Sequence, residues 1–409
     1  MVGKTTGTID GSTITTFPSA HSGTSPPSKS SSGGTRSNPS YFVSWYMTNQ
    51  VLIRIHIGWA RPNCLNCSLR SKKGLIMNSP IFLLASERSG TNLLRRRITE
   101  SQHHLIGPSP LHFLKHLYFA EPYYGSLDIE KNFLAFIEDA RGLAYHHFSP
   151  WDIEINTPQI RESYPRLFGE DRSAIGVMHT LYTLYAEAKG YTTYFCKDNN
   201  LFDFACDIRN KLPEAKFIYL YRDPRDVVLS QLKRPLQNRS IVYLSQLWKD
   251  EQIKCIRHAK TLTKENILHS LSYEELIFNE ERTLENLLGQ LSLEKREQDQ
   301  EAFKKENIDI QEWKNLNRGT MRDNSGKFEK HLPRTAIRKI ESICWHQMKW
   351  LGYKPTNENR PSLSRLRATA EAASGKITRS LRSQISKKEL TDGQKDRIDY
   401  TKKLIKTWQ

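Results

Sequence analysis

Missing from the 409-residue chain is any apolar run of the roughly 20 residues that a bilayer span requires. The nearest approach, Tyr41 to Ala60, is interrupted by Asn49, Gln50, Arg54 and His56, so no transmembrane span is expected. That stretch also lacks the compact apolar centre and small-residue cleavage pattern of a secretory signal. Cysteine is scarce, with six in all. Cys64 and Cys67 have zinc-ligand spacing, but no second Cys or His pair follows at finger distance, and no metal site is expected. Cys196, Cys206, Cys255 and Cys344 are scattered through the middle of the chain, which suits free thiols in a reducing, cytoplasmic compartment better than a disulfide framework.

Acidic residues are few at both ends. Residues 1–76 hold eight Lys or Arg against one acid, and residues 360–409 hold thirteen against five, so the flanks carry most of the net +17. A single basic domain built for nucleic acid is therefore not expected, while the basic ends leave contact with an acidic surface open. Residues 1–40 are rich in Ser, Thr, Gly and Pro without apolar periodicity, cannot offset the entropy of ordering, and are expected to be disordered. Met77 stands immediately before the first strong strand pattern, which makes the preceding segment dispensable on this reading. The expected division is a low-complexity extension over 1–76, a folded domain over 77–354, and a basic, weakly helical tail over 355–409.

What is present begins at Ser79. The run Ile81 to Ala85 has the length of a buried strand, and Leu94 and Ile98 recur at helical spacing. Between them lies Arg88-Ser89-Gly90-Thr91-Asn92. A loop joining a strand's carboxyl end to a helix's amino end faces N–H groups without intrahelical partners and the positive end of the helix dipole. Gly90 permits close approach, Ser89, Thr91 and Asn92 offer donors, and Arg88 adds a fixed charge. The loop reads as an anion cradle, although Ser/Gly turns between strand and helix are common. A Walker A loop would need Gly-Lys followed by Ser or Thr, and this loop has neither that pattern nor a magnesium ligand.

A second strand, polar turn and helix follow at Lys216 to Leu232. Pro224 suits the first helical turn, and Asp223 and Asp226 suit its positive end. Arg222 at the strand's end and Ser230 two turns into the helix can reach one anion. Equally, this is an ordinary connection whose Arg and Asp residues pair with each other.

Taken together, the two motifs resemble the sulfotransferases that use 3′-phosphoadenosine-5′-phosphosulfate (PAPS). In that family the first loop holds the donor's 5′-phosphosulfate, and an Arg and a Ser eight positions apart, here Arg222 and Ser230, hold its 3′-phosphate. Cys196-Lys197-Asp198-Asn199-Asn200 resembles the Lys-containing segment after an inner strand. Leu271-Ser272-Tyr273-Glu274-Glu275-Leu276 is similar to the Tyr-Glu-x-Leu strand end, which brings Tyr273 toward the nucleotide. Asn324-Ser325-Gly326-Lys327 resembles the late loop in which Gly326 and Lys327 close over the 3′-phosphate. The resemblance covers roughly residues 77 to 354. It implies a P-loop-like, three-layer α/β fold with a central parallel sheet flanked by helices. It also implies PAPS as donor, PAP as product, a hydroxyl-bearing acceptor and transfer without a metal.

Many sulfotransferases carry an acidic residue or a His shortly after the cradle helix as the base for the acceptor hydroxyl. No Asp or Glu lies between Glu100 and Glu121, so the resemblance points to His112. By itself His112 reads as a helix-start histidine that packs or faces solvent, and His103 and His104 lie far from the cradle. Lys197 is placed either to steady the migrating sulfuryl group together with Arg88 or to sit as a solvated loop lysine. Residues 113–190 are expected to be mostly helical, with many aromatics, and in this family that region shapes the acceptor pocket. The acceptor itself is left open among carbohydrate, lipid, tyrosine and small metabolite. A P-loop-type phosphotransferase and a non-enzymatic nucleotide binder remain the alternatives.

Overall fold

The computed structural model describes residues 79–147, 149–234, 239–293, 321–362 and 392–408, together with the backbone of four earlier strands. Of those four, β1 (Thr8–Ile9) pairs antiparallel with β2 (Ser12–Thr13), and β3 (Tyr41–Thr48) with β4 (Val51–Gly58). The rest of residues 1–78, including Cys64 and Cys67, lies outside the described residues. Among the described residues no helix is long and apolar enough to cross a membrane.

Period-2 alternation sets the faces of the next strand, β5 (Ile81–Ala85). Ile81 and Leu83 point to one side, Phe82 and Leu84 to the other, and all four are buried. A strand buried on both faces belongs inside a parallel sheet covered by helices. Here β6 (Leu105–Ile106), β7 (Thr193–Cys196), β8 (Lys216–Tyr221) and β9 (Leu268–Ser272) complete a five-stranded sheet in the order β6-β7-β5-β8-β9. All four pairings are parallel; Ile81 faces Phe195 on one side and Lys216 on the other.

The helices follow from the connections. α1 (Thr91–Glu100) leaves β5; α2 (Leu114–Ala120), α3 (Glu130–Tyr145), α4 (Thr157–Leu167) and α5 (Ala174–Ala188) fill the long crossover from β6 to β7. α6 (Ala205–Lys211) leads to β8, and α7 (Pro224–Leu232) and α8 (Ile241–Leu262) lead to β9. α9 (Tyr273–Phe278), α10 (Glu280–Gln290), α11 (Phe328–His331), α12 (Arg334–Trp350) and α13 (Asp392–Thr407) follow.

Leu94 and Ile98 of α1, Leu276 of α9 and Leu284 and Leu287 of α10 pack on the face of Ile81, Leu83, Ile218 and Leu220. Met178 of α5, Trp248 of α8 and Ile340, Cys344 and Met348 of α12 belong to the cluster on the face of Phe82, Leu84, Phe217 and Tyr219. This is the expected three-layer α/β fold with its parallel sheet in the middle. Ile337, Ile340, Cys344 and Met348 recur at helical spacing along α12, and all four side chains are buried. α13 lies beyond the stretch read as the domain's end and packs on α3, where Tyr400 stacks on His146 at 4.5 Å and Leu404 is buried.

Candidate active site

In a doubly wound sheet the strand order reverses at one place, and ligands collect outside the carboxyl ends there. The ends of β5, β7 and β8 meet at such a point. The β5–α1 loop makes its turn through left-handed backbone at Arg88 (φ 71°) and Gly90 (φ 87°). Gly90 occupies the N-cap of α1 with no side-chain cap, and no acidic residue stands in the first turn, so the helix start keeps its positive character. The Ser89 hydroxyl and the Asn92 side-chain oxygen are buried with no hydrogen-bond partner among the described residues. What approaches Gly90 most closely is a ring: a Cβ there would lie 2.2 Å from Cδ2 of Tyr273.

Tyr273 reaches that position because the strand-to-helix turn is capped twice. The Ser272 hydroxyl accepts from the N–H of Glu275 at 3.0 Å, and the Glu275 carboxylate accepts from the N–H of Ser272 at 2.8 Å. The guanidinium of Arg222 lies over the Tyr273 ring at 4.3 Å. One of its terminal nitrogens donates to the carbonyl of Arg88 at 3.0 Å and the other to the carbonyl of Asn324, while Nε is buried without a partner among the described residues. Arg88 Nε donates to the Ser230 hydroxyl at 3.0 Å, and Asn324 Nδ2 donates to the Tyr273 hydroxyl at 2.8 Å. Arg88, Ser230, Arg222 and Tyr273 therefore form one braced cluster drawn from four parts of the chain.

The Arg and Asp residues after β8 divide their tasks. Asp223 caps α7 by accepting from the N–H of Arg225 at 2.9 Å. Arg225 bridges Asp223 at 2.6 Å and the fully buried Glu341 of α12 at 2.8 Å. Arg222 is left to the site. Asp226 accepts from the N–H of Gly326 at 2.7 Å and from that of Phe328 at 3.0 Å. The Gly326 N–H expected to face a phosphate is thus engaged in anchoring the late loop to α7. Lys327 lies 4.0 Å from Asp323 with its side chain about a third exposed, at the rim.

On the β7 side, Lys197 is 9% exposed, so it is not a solvated loop lysine. Burial, reinforced by the neighbouring charge of Arg95, pushes its pKa down to about 8. Asp198 holds the turn at 111–112: it accepts from the N–H of Leu111 at 3.0 Å and from the Tyr182 hydroxyl at 2.8 Å. That turn puts His112 in left-handed backbone (φ 53°), with its side chain only 16% exposed. His112 Nδ1 accepts from the N–H of Asn199 at 2.9 Å. Burial, then the charge of Lys197, keeps the ring neutral, with a pKa well below the usual histidine range. A neutral ring whose Nδ1 accepts must carry its proton on Nε2. In this arrangement His112 presents its Nε2–H as a donor.

A carboxylate is nonetheless present. Glu87, in the cradle loop, accepts from Asn199 Nδ2 at 2.7 Å and from Arg234 at 2.7 Å. Desolvation would raise its pKa, but Arg234, Lys115, Arg239 and Lys197 outweigh it and hold the group ionised below the usual carboxylate range. Asn199 thus touches His112 through its backbone and Glu87 through its side chain. Glu87 lies before α1, outside the stretch in which the resemblance expects an acid. The available signal was its place beside Arg88, two residues past the strand's end. Asn324 belongs to the late loop already singled out, whereas Arg397 of α13 carried no signal, since only the fold brings it to the carbonyl of Leu111.

A family model described as "Sulfotransferase family" matches residues 80–297. Among solved structures the chain is similar to the sulfotransferase domain from the curacin biosynthetic pathway, at 16% identity and a TM-score of 0.44, covering 68% of this chain and 98% of that one. It is also similar to the sulfotransferase domain from the Synechococcus PCC 7002 olefin synthase, at 15% identity and a TM-score of 0.43, covering 68% and 98%. A sulfotransferase from Alicyclobacillus acidocaldarius is similar at 12% identity and a TM-score of 0.32, covering 65% and 96%. No curated protein matches the chain.

Proposed function

The chain belongs to the sulfotransferase family, and on that premise we propose that it moves a sulfuryl group from PAPS to an acceptor hydroxyl. The observation that carries this is the cluster at the ends of β5 and β8. There Arg222 Nε and the Ser89 hydroxyl are buried without partners among the described residues, beside an uncapped helix start. Buried polar groups are almost always satisfied, so such orphans fit a site whose partner is an anion supplied from outside.

Sulfuryl transfer, like phosphoryl transfer, rests mainly on positioning and charge stabilisation. Arg88 to Asn92 hold the 5′-phosphosulfate of PAPS, with the Gly90 turn bringing backbone N–H groups close. Arg222 and Ser230 hold the 3′-phosphate. Tyr273 backs the Arg222 guanidinium, Gly326 ties down the late loop through Asp226, and Lys327 adds charge at its rim. Lys197, held out of water, stabilises the transferring group in its protonated form. The Nε2–H of His112 orients the acceptor, and the Glu87 carboxylate takes the acceptor's proton. Cytoplasmic placement belongs to the same proposal, supported by four free cysteines among the described residues.

Calorimetric titration with PAP tests the donor site. Binding should need no Mg²⁺, should exceed that of ATP with Mg²⁺, and should weaken about 10–100-fold in Arg222→Ala, the range for losing charge-assisted hydrogen bonds. Tight ATP–Mg²⁺ binding with PAP ignored would replace this proposal with a phosphotransferase.

A further inference from the structure

Two serines of the β5–α1 loop are used in opposite ways. The Ser89 hydroxyl is buried without a partner among the described residues, whereas Ser86, equally buried, is bonded from behind. Gln252 Nε2 donates to Ser86 Oγ at 2.7 Å, and Gln252 Oε1 accepts from the Tyr219 hydroxyl at 2.5 Å. Ser86 also makes a side-chain hydrogen bond with the buried carboxyl of Glu251. A hydroxyl has one proton to donate. Having accepted from Gln252, Ser86 gives that proton to Glu251, so it anchors the loop to the interior while Ser89 stays open.

The anchor comes from rigid parts of the fold. Gln252 shares the core-facing stripe of α8 with Trp248, four residues before it, and Cys255, three after, and all three side chains are buried. A buried amide is costly unless both its ends are bonded, and here both are. Tyr219 lies on β8 directly opposite Leu84 of β5, and Ser86 is the first residue past the end of β5. One side chain thus ties a long helix and two central strands to the point where the backbone leaves the sheet. Two residues on, the chain turns through left-handed backbone at Arg88 (φ 71°) and again at Gly90 (φ 87°). For a non-glycine residue that conformation costs energy and persists only where its surroundings hold it.

We propose that Gln252 is a positioning residue for the donor: acting through Ser86, it fixes where the cradle loop starts and so aims the N–H groups of residues 88–92 at the 5′-phosphate. The inference rests on the donor site proposed above. Gln252 is itself fully buried, touches no ligand, and transmits its effect through the loop alone.

Calorimetry of the full chain with two nucleotides tests this without an acceptor. PAP carries both phosphates, and adenosine 3′-phosphate lacks the 5′-phosphate, so the gap between their affinities reads the cradle. In the wild type PAP should bind more tightly. Gln252→Met keeps the length of the side chain and removes both bonds; it should weaken PAP about tenfold, the scale of a lost buried hydrogen bond, and leave adenosine 3′-phosphate nearly unchanged. Tyr219→Phe, which removes only the outer bond, should narrow the gap less. A merely structural role would lower the melting temperature or weaken both nucleotides alike, and either result without a narrowed gap overturns the proposal. Thermal melting checks that each variant is folded, and Ser86→Ala decides if Gln252→Met is not. A wild type that ignores PAP, or binds the two nucleotides equally, would instead remove the donor reading, and the positioning role with it.

Discussion

The two halves of the cleft are built differently. At the ends of β5 and β8 the two arginines are braced, Arg222 by the carbonyls of Arg88 and Asn324 and by the Tyr273 ring and Arg88 by Ser230, and the late loop is held by Asp226. Beside β7, His112 is held from behind by the N–H of Asn199, while Asp198 Oδ2 is buried without a partner among the described residues. On the proposed function, groups fixed in advance favour a nucleotide that is always the same, since the ordering cost falls outside the binding step.

The comparison is broken first at the proton acceptor. Glu87→Gln should lower turnover by about 10²–10⁴-fold with PAP affinity nearly unchanged, the usual range for losing general base catalysis. His112→Gln, which keeps a donor, should lose less; equal losses would return the base role to His112. Next comes the brace behind the donor half. Glu341→Ala leaves Arg225 buried without one of its two carboxylates and should cost about 3–5 kcal/mol in denaturant unfolding. A drop in PAP affinity with unchanged stability would mean the pair belongs to the site instead.

Lys197 sharpens the contrast through pH. With its folded pKa near 8 and an ordinary value of 10.5, the unfolded chain binds more protons between those limits. The protonated lysine therefore costs stability below pH 8, and stability should rise as pH climbs from about 8 toward 10.5. Over the same window kcat/KM should fall, because the cation that stabilises the transferring group is lost. Lys197→Arg should move that alkaline limb upward, and an unmoved limb would assign it to another group. The smallest effect tests the docking of α13. A Cβ on Gly142 would stand 1.8 Å from the Tyr400 hydroxyl, so Gly142→Ala should destabilise by about 1–3 kcal/mol. Unfolding by denaturant checks this, and an unchanged midpoint would mean that α13 does not dock through Tyr400.

Much of the donor half was legible in the chain. Arg88-Ser89-Gly90 sits between a five-residue apolar run and a helical repeat, and Arg222 to Asp226 repeats the pattern, because strand, turn and cap preferences act over a few residues. Lys197, read as either catalytic or solvated, turned out buried because β7 is an interior strand. The acceptor half was far less legible. Glu87 was visible but unassigned, and the proton position on His112 depends on a backbone N–H 87 residues away.

By itself the sequence determined the parallel-sheet α/β architecture, the two strand-end loops after β5 and β8 and the charge imbalance of the flanks. Those properties are set by alternation, capping and composition, which are local. Only the tertiary structure decided which ring packs on Gly90, that Glu87 meets Asn199 and Arg234, that the Gly326 N–H belongs to Asp226, and that Arg397 packs beside Leu111. Each depends on groups far apart in the chain, whose meeting is fixed by how helices pack on the sheet.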